Sequence, residues 1–174
     1  LSILAIYLFS LVRRQTSRQP ARLPLYGRGV SVLIPAYNEQ ENIESSILSV
    51  LRNDYKNKEV IVINDGSTDN TGQVVENMQS RYPGKIKLIN LPNGGKANAL
   101  NTGIEFAKHN IFVSMDADTI FAPDTIKNLV WHFSDKSVGA VAGKVQTVRS
   151  KNWLDIFQSI EYAEEILKPW GETE

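Results

Sequence analysis

Asp116 and Asp118 flank a single alanine at the end of the apolar run Ile111 to Met115, and two carboxylates so placed can grip a divalent cation. In an extended segment residues i and i+2 point the same way, so the spacing predicts both carboxylates on one side and Ala117 on the other. Oxygen donors of this kind suit Mg²⁺ or Mn²⁺, which are commonly held by one or two carboxylates together with substrate phosphates. The same residue types also end strands merely to open a loop or cap a helix. The pair therefore gains meaning only from its company.

Three more polar clusters occur in the chain: Pro35 to Glu39, Asp65 to Asp69, and Asn93 to Lys96. Lys96 follows two glycines, which let a backbone approach a ligand closely, and it opens a helix-like stretch whose N-terminus favours phosphate. Taken singly, Lys96 reads equally well as a solvated surface lysine, and Asp65 as a turn residue in Asn-Asp-Gly-Ser. Each cluster follows an apolar run that reads as a strand: Val30–Ile34, Glu59–Asn64, Ile86–Asn90 and Ile111–Met115. Helical periodicity lies between them, at Glu41–Leu51 with Ile43, Ile47, Leu48 and Leu51 on one face, at Thr71–Met78, and at Lys96–Lys108 with Ala97, Leu100, Ile104 and Ala107 on one face. Alternating strand and helix predict an α/β fold with a largely parallel sheet. In such sheets ligands bind beyond the carboxyl ends of the strands, where all four clusters would converge.

Several functions are excluded by what the sequence lacks. Gly66 and Gly72 do not form a Gly-x-Gly-x-x-Gly run, and Gly94-Gly95-Lys96 continues into Ala97 with no glycine at the upstream P-loop position. A formal net charge of zero and the lack of a long basic stripe argue against nucleic acid as a partner. There is no cysteine, hence neither a disulfide nor a thiolate metal site. At 174 residues the chain has the length of one globular unit.

The stretches Val32-Leu-Ile-Pro-Ala-Tyr-Asn-Glu39, Glu59-Val-Ile-Val-Ile-Asn-Asp-Gly-Ser-Thr-Asp69, Asn93-Gly-Gly-Lys-Ala-Asn-Ala-Leu-Asn101 and Val113-Ser-Met-Asp-Ala-Asp118 together resemble the family 2 glycosyltransferases of the GT-A nucleotide-diphospho-sugar transferase fold, a Rossmann-like, mostly parallel α/β architecture. The Asn-Gly-Gly-Lys block and Val138 to Val145 look most like processive membrane synthases of the poly-N-acetylglucosamine, hyaluronan and chitin type. The likeness covers roughly residues 29 to 163, the donor-binding half of such an enzyme. It implies a UDP-sugar donor, pointing to UDP-N-acetylglucosamine, and inverting transfer to a polysaccharide or oligosaccharide acceptor. By the same resemblance Asp65 reads the uracil ring, whose N–H a carboxylate can accept. Pro35, Ala36 and Tyr37 form the floor under the base, Glu39 lies near the ribose or base, and Lys96 faces phosphate. Asp118 holds the metal, with Asp116 beside it on the metal or the ribose. Glu39 has an alternative use in capping the following helix, and Gly143 and Lys144 border the donor sugar only by analogy.

The first twelve residues, Leu1 to Val12, are apolar apart from two serines and a tyrosine and are followed by Arg13, Arg14 and Arg18. The run is shorter than the roughly 20 residues of a spanning helix, so residues 1–14 read as the end of a transmembrane or membrane-proximal helix. A helix packed on the domain or lying at the interface is the alternative. Residues 15–29, with Pro20 and Pro24, read as a linker, and 30–174 as the nucleotide-sugar-binding part of the transferase domain. The arginines predict a cytoplasmic catalytic domain at the cell (inner) membrane. His109, near an expected helix end, and His132 lack metal-ligand neighbours and read as non-catalytic. Trp131, Phe133, Trp153 and Phe157 read as packing, Val138–Val145 as a further strand, and Glu161, Glu164 and Glu165 as an exposed helix face rather than an acceptor base. Two alternatives to a polysaccharide synthase stay open: a nucleotide-sugar-binding half domain without turnover, and a lipid-linked monosaccharide transferase using a GDP- or UDP-sugar.

Overall fold

β-Branched residues dominate the first two long strands, and their side chains alternate between two separate apolar layers. The structure is a computed structural model that describes residues 4–6, 27–143 and 145–147. Its elements run β1 (Leu4–Ile6), β2 (Val30–Ala36), α1 (Ile43–Leu51), β3 (Lys58–Asp65), α2 (Thr71–Arg81), β4 (Ile86–Leu91), α3 (Lys96–Glu105), β5 (Ile111–Ser114), β6 (Thr119–Phe121), α4 (Thr125–His132) and β7 (Val145–Thr147). Val32 and Ile34 of β2 and Val60 and Val62 of β3 face α1 and α2, packing with Ile43, Ile47, Val50, Val75 and Met78. Leu33, Ile61 and Ile63 point the other way, onto Ala99 of α3. This period-two alternation with both faces covered belongs to a parallel sheet clad by helices.

The main sheet has the order β4-β3-β2-β5, and its three pairings are all parallel. From β2 the chain steps outward to β3 and then β4. It returns over the other face through α3 to place β5 on the far side of β2. The strand order therefore reverses between β2 and β5, which opens a crevice at the carboxyl ends of those two strands. Close passage of α3 depends on Gly103, where a Cβ would stand 2.8 Å from Ile63 Cδ1.

Five local expectations are corrected. Leu4–Ile6 is a strand, parallel to β6 and antiparallel to β7, where sequence predicts a helix end. A three-residue apolar run serves either conformation, and pairing partners decide it. The remainder of 1–14 and residues 15–26 lie outside the described residues, and no described helix is long and apolar enough to cross a membrane. Residues 138–143 have no regular structure, and the strand in that region is Val145–Thr147. Helix α3 ends at Glu105, and its core face is Ala99 and Gly103 with Leu100 partly buried, while Ala107 packs on the same cluster from beyond the helix end. Ala97 and Ile104 are exposed, because the small residues rather than the larger ones meet the sheet. His109 consequently stands beyond the helix, its ring against Gly29. Trp131 is exposed rather than packed, and Phe133 is half-buried. Trp153, Phe157, Lys144, Glu161, Glu164 and Glu165 lie outside the described residues.

Candidate active site

The crevice between β2 and β5 holds a cavity of about 290 Å³ lined by Pro35, Ala36, Tyr37, Glu39, Asp65, Lys96, Asp116, Ala117 and Asp118. Four separate strand ends thus contribute to one space, and each residue assigned from sequence to the base, ribose, phosphate or metal opens onto it. Gly143 is not among them and lines a different, apolar groove beside β5.

The Asp-Ala-Asp step is not an extended strand end. Strand β5 stops at Ser114, and the Thr119 amide donates to the Asp116 carbonyl at 3.0 Å, closing a turn. Both aspartates still reach the cavity, because the turn is held from below. The Ser46 hydroxyl, buried on α1, donates to the Ala117 carbonyl at 2.6 Å. One turn on, the Phe121 amide donates to Ser49 Oγ at 3.0 Å, and the Asn53 side chain donates to the Ala122 carbonyl at 2.8 Å. Three polar groups spaced along α1 and its end therefore suspend residues 117–122.

Lys96, the first residue of α3, sends its Nζ to Asp116 Oδ1 at 2.5 Å, with both side chains half or more exposed. Asp116 is thereby partly neutralised, while Asp118 forms no ion pair among the described residues. A hard divalent cation fits this donor set: two carboxylate side chains on one wall of an open cavity leave the remaining positions to phosphate oxygens and water. Among the described residues no cluster of three or more His, Cys, Asp or Glu could cage a metal without such help.

Asp65 is buried at the end of β3, 4% exposed, and its two oxygens accept the Gly94 and Gly95 amides, each at 2.8 Å. The glycines before Lys96 therefore turn their amides onto the protein's own carboxylate. Glu39 does not cap α1: its carboxylate accepts from the Asn42 side chain at 2.9 Å, and the helix has no side-chain cap.

The loops carrying Tyr37–Glu39 and Gly66–Asn70 are laced together by contacts that sequence patterns did not bring out. Asn38, at φ +56, accepts from the Thr68 amide at 2.8 Å, and its own amide donates to Ser67 Oγ at 3.0 Å. The Glu39 amide donates to Thr71 Oγ1, the Gln40 amide to Asp69 Oδ2, and the Asn70 amide to Gln40 Oε1. Burial pushes the Asp69 carboxyl up, but hydrogen bonds from the Thr71 hydroxyl and amide and the Gln40 amide outweigh it and hold the group below the usual aspartate range. The available signal was the density of Asn, Asp, Ser and Thr in both loops, residues that bond backbone groups in turns.

A mostly parallel α/β sheet with an acidic, lysine-flanked crevice at the point where its strand order reverses defines an open α/β domain with a ligand crevice at its strand ends. The sequence matches Glycosyl transferase family 2 over residues 31–172, and the chain belongs to that family. It is 37% identical over 137 residues to the poly-beta-1,6-N-acetyl-D-glucosamine synthase of Staphylococcus epidermidis, covering 78% of this chain and 33% of the relative. The Staphylococcus aureus synthase is 38% identical over the same length. The chain spans about a third of the length of these curated relatives. Among solved structures it is similar to the mannosyltransferase PcManGT from Pyrobaculum calidifontis in complex with GDP-Man and Mn²⁺, with a TM-score of 0.64 and 35% identity over 70% of this chain and 38% of that one. It is also similar to S. aureus TarS in complex with UDP-GlcNAc, with a TM-score of 0.53 and 30% identity over 59% of this chain and 30% of that one. The fold is thus the GT-A glycosyltransferase fold.

Proposed function

We propose that this chain is the donor-binding part of an inverting, metal-dependent glycosyltransferase that moves N-acetylglucosamine from UDP-N-acetylglucosamine onto a growing polysaccharide. The observation that carries the proposal is the convergence of Asp65, Lys96, Asp116 and Asp118 on one cavity at the strand-order reversal. Identity to poly-N-acetylglucosamine synthases and likeness to a UDP-GlcNAc complex support the choice of donor.

In this assignment the backbone wall of Pro35, Ala36 and Tyr37 receives the uracil, Asp65 accepts its ring N–H, and Glu39 lies toward the ribose. Lys96 meets the diphosphate, and Asp118 with Asp116 holds Mg²⁺ or Mn²⁺. When bound, the metal supplies positive charge that stabilises the departing diphosphate. The acceptor hydroxyl attacks the anomeric carbon, the bond to the diphosphate oxygen breaks, and a carboxylate base takes the hydroxyl proton. Likeness to polysaccharide synthases, together with the basic run Arg13, Arg14 and Arg18, supports placement at the cell membrane with the domain in the cytoplasm, while Leu4–Ile6 pairs with the domain's own strands.

Calorimetric titration of UDP with and without Mn²⁺ tests the assignment. Asp118→Asn is expected to remove the metal enhancement while leaving metal-free binding in place. Retention of the full enhancement would exclude Asp118 as the metal ligand. A GDP-sugar donor is the second possibility, favoured by likeness to the complex with GDP-Man. Tighter binding of GDP than UDP would select it.

A further inference from the structure

We propose that Asp65 is a positioning residue for the phosphate end of the site, acting through the Gly94–Gly95 amides on Lys96. The inference rests on the donor-site assignment above and adds a second duty to a residue placed at the base. Successive backbone amides form a concavity that attracts anions. Here the anion seated on Gly94 and Gly95 is the Asp65 carboxylate, at 2.8 Å from each nitrogen. Two of its roughly four acceptor positions are thereby used, and the carboxylate still opens onto the cavity.

The surrounding backbone leaves this loop little freedom. Gly66, at φ +71, follows Asp65 so closely under the loop that a Cβ there would stand 2.5 Å from the Asn93 nitrogen. Gly95 has φ +86 and ψ 160, a conformation essentially restricted to glycine, and it sets the direction in which α3 leaves. Lys96 is the next residue, and its Nζ reaches Asp116. A continuous set of contacts thus runs from the base end of the site to the metal end: Asp65, the two glycine amides, Lys96, Asp116. Losing the clamp frees the segment that aims Lys96.

Asparagine is the same size as aspartate but presents one acceptor oxygen and one amide donor, so Asp65→Asn sets an NH₂ group against one of the two glycine amides that now bond separate oxygens. The experiment measures uridine and UDP affinities for the purified intact protein, for Asp65→Asn, for Lys96→Met and for the double variant. Base contact alone predicts that Asp65→Asn weakens uridine and UDP by the same factor. The clamp predicts that UDP loses at least about tenfold more than uridine, the scale of one charge-assisted hydrogen bond. It also predicts that Lys96→Met, costing UDP about tenfold in the parent, costs about twofold or less beside Asp65→Asn. Equal losses for the two ligands, or additive effects of the two substitutions, would overturn the clamp while leaving the donor-site assignment standing. A parent that binds neither UDP nor GDP would instead overturn that assignment. Amide hydrogen exchange on the ligand-free parent gives a readout that needs no variant to fold. Slow exchange at Gly94 and Gly95 supports the clamp, and exchange at the rate of an open loop refutes it.

Discussion

Ser46→Ala removes one oxygen from the interior of α1 and, with it, the donor that holds the turn proposed to carry the metal. Ser46 is fully buried, and the Ala117 carbonyl it bonds at 2.6 Å belongs to a residue only 4% exposed. The substitution leaves almost no cavity, so the cost is that of a buried carbonyl left without this partner, about 1–3 kcal/mol. Neighbouring bonds from Ser49 and Asn53 persist, which confines the disturbance to residues 116–119. Equilibrium urea unfolding should therefore show a loss of about 1–3 kcal/mol with unchanged slope. Nucleotide titration should separate the two halves of the site, with the Mn²⁺-dependent gain in UDP affinity reduced and the metal-free affinity retained. A stability change below about 0.5 kcal/mol, the range of ordinary surface substitutions, would refute the claim that Ser46 carries this turn. So would an equal fall in both affinities.

Gly66→Ala should cost more than the roughly 1–2 kcal/mol of a left-handed residue, because its Cβ also meets the Asn93 backbone. Thermal unfolding and UDP titration should show lower stability together with weaker nucleotide binding. Lys96→Met should act with opposite signs on two ligands: bare Mn²⁺ binds about two- to fivefold tighter once Asp116 is released, whereas UDP binds more weakly, as paired titrations would show. Asp69 has a depressed pKa, so its stabilisation is complete above the unfolded value of 3.8 and is lost as pH falls through the lower folded value. Asp69→Asn should therefore be less stable than the parent at pH 7, and the difference should shrink below pH 3.8, as followed by urea unfolding across pH.

Strand and helix order in the doubly wound part was legible because each segment carries its own period. Val30–Ile34 and Glu59–Asn64 lie inside β2 and β3, and Ile43, Ile47, Leu48 and Leu51 pack inward on α1. The α3 face was misread for a physical reason: a helix that must pass close to a sheet turns its small residues inward, so Ala99 and Gly103 outrank Ile104. Helix α4 and strand β6 were not anticipated. Both are short, and α4 buries Thr125, Ile126, Leu129 and Val130 while leaving Trp131 outside. The strand expected at 138–145 failed because small apolar residues alone do not supply a pairing partner.

Membership of the site could be read along the chain, but the bonds that connect its members could not. Asp65, Lys96 and Asp116 announce themselves by charge at strand ends, and the order reversal between β2 and β5 is enough to bring strand ends together. Nothing local says that the amides before Lys96 belong to Asp65, 29 and 30 residues upstream, or that Ser46 bonds a carbonyl 71 residues away. Those partners have no side-chain identity to read, since a backbone amide or carbonyl is the same at every non-proline position. A buried serine in an otherwise apolar helix face, or an aspartate deep at a strand end, must find a bonding partner because an unpaired polar group is costly there. The same logic turns Ser46 and Asp65 from composition into structure: each is a polar group that the fold can bury only by fixing a loop beside the cavity, while the half-buried Asp69 ties the two loops next to it together. Changing any of them should therefore disturb a defined part of the cavity's wall, the 116–119 turn, the Lys96 loop or the Tyr37–Glu39 segment, rather than the sheet beneath it.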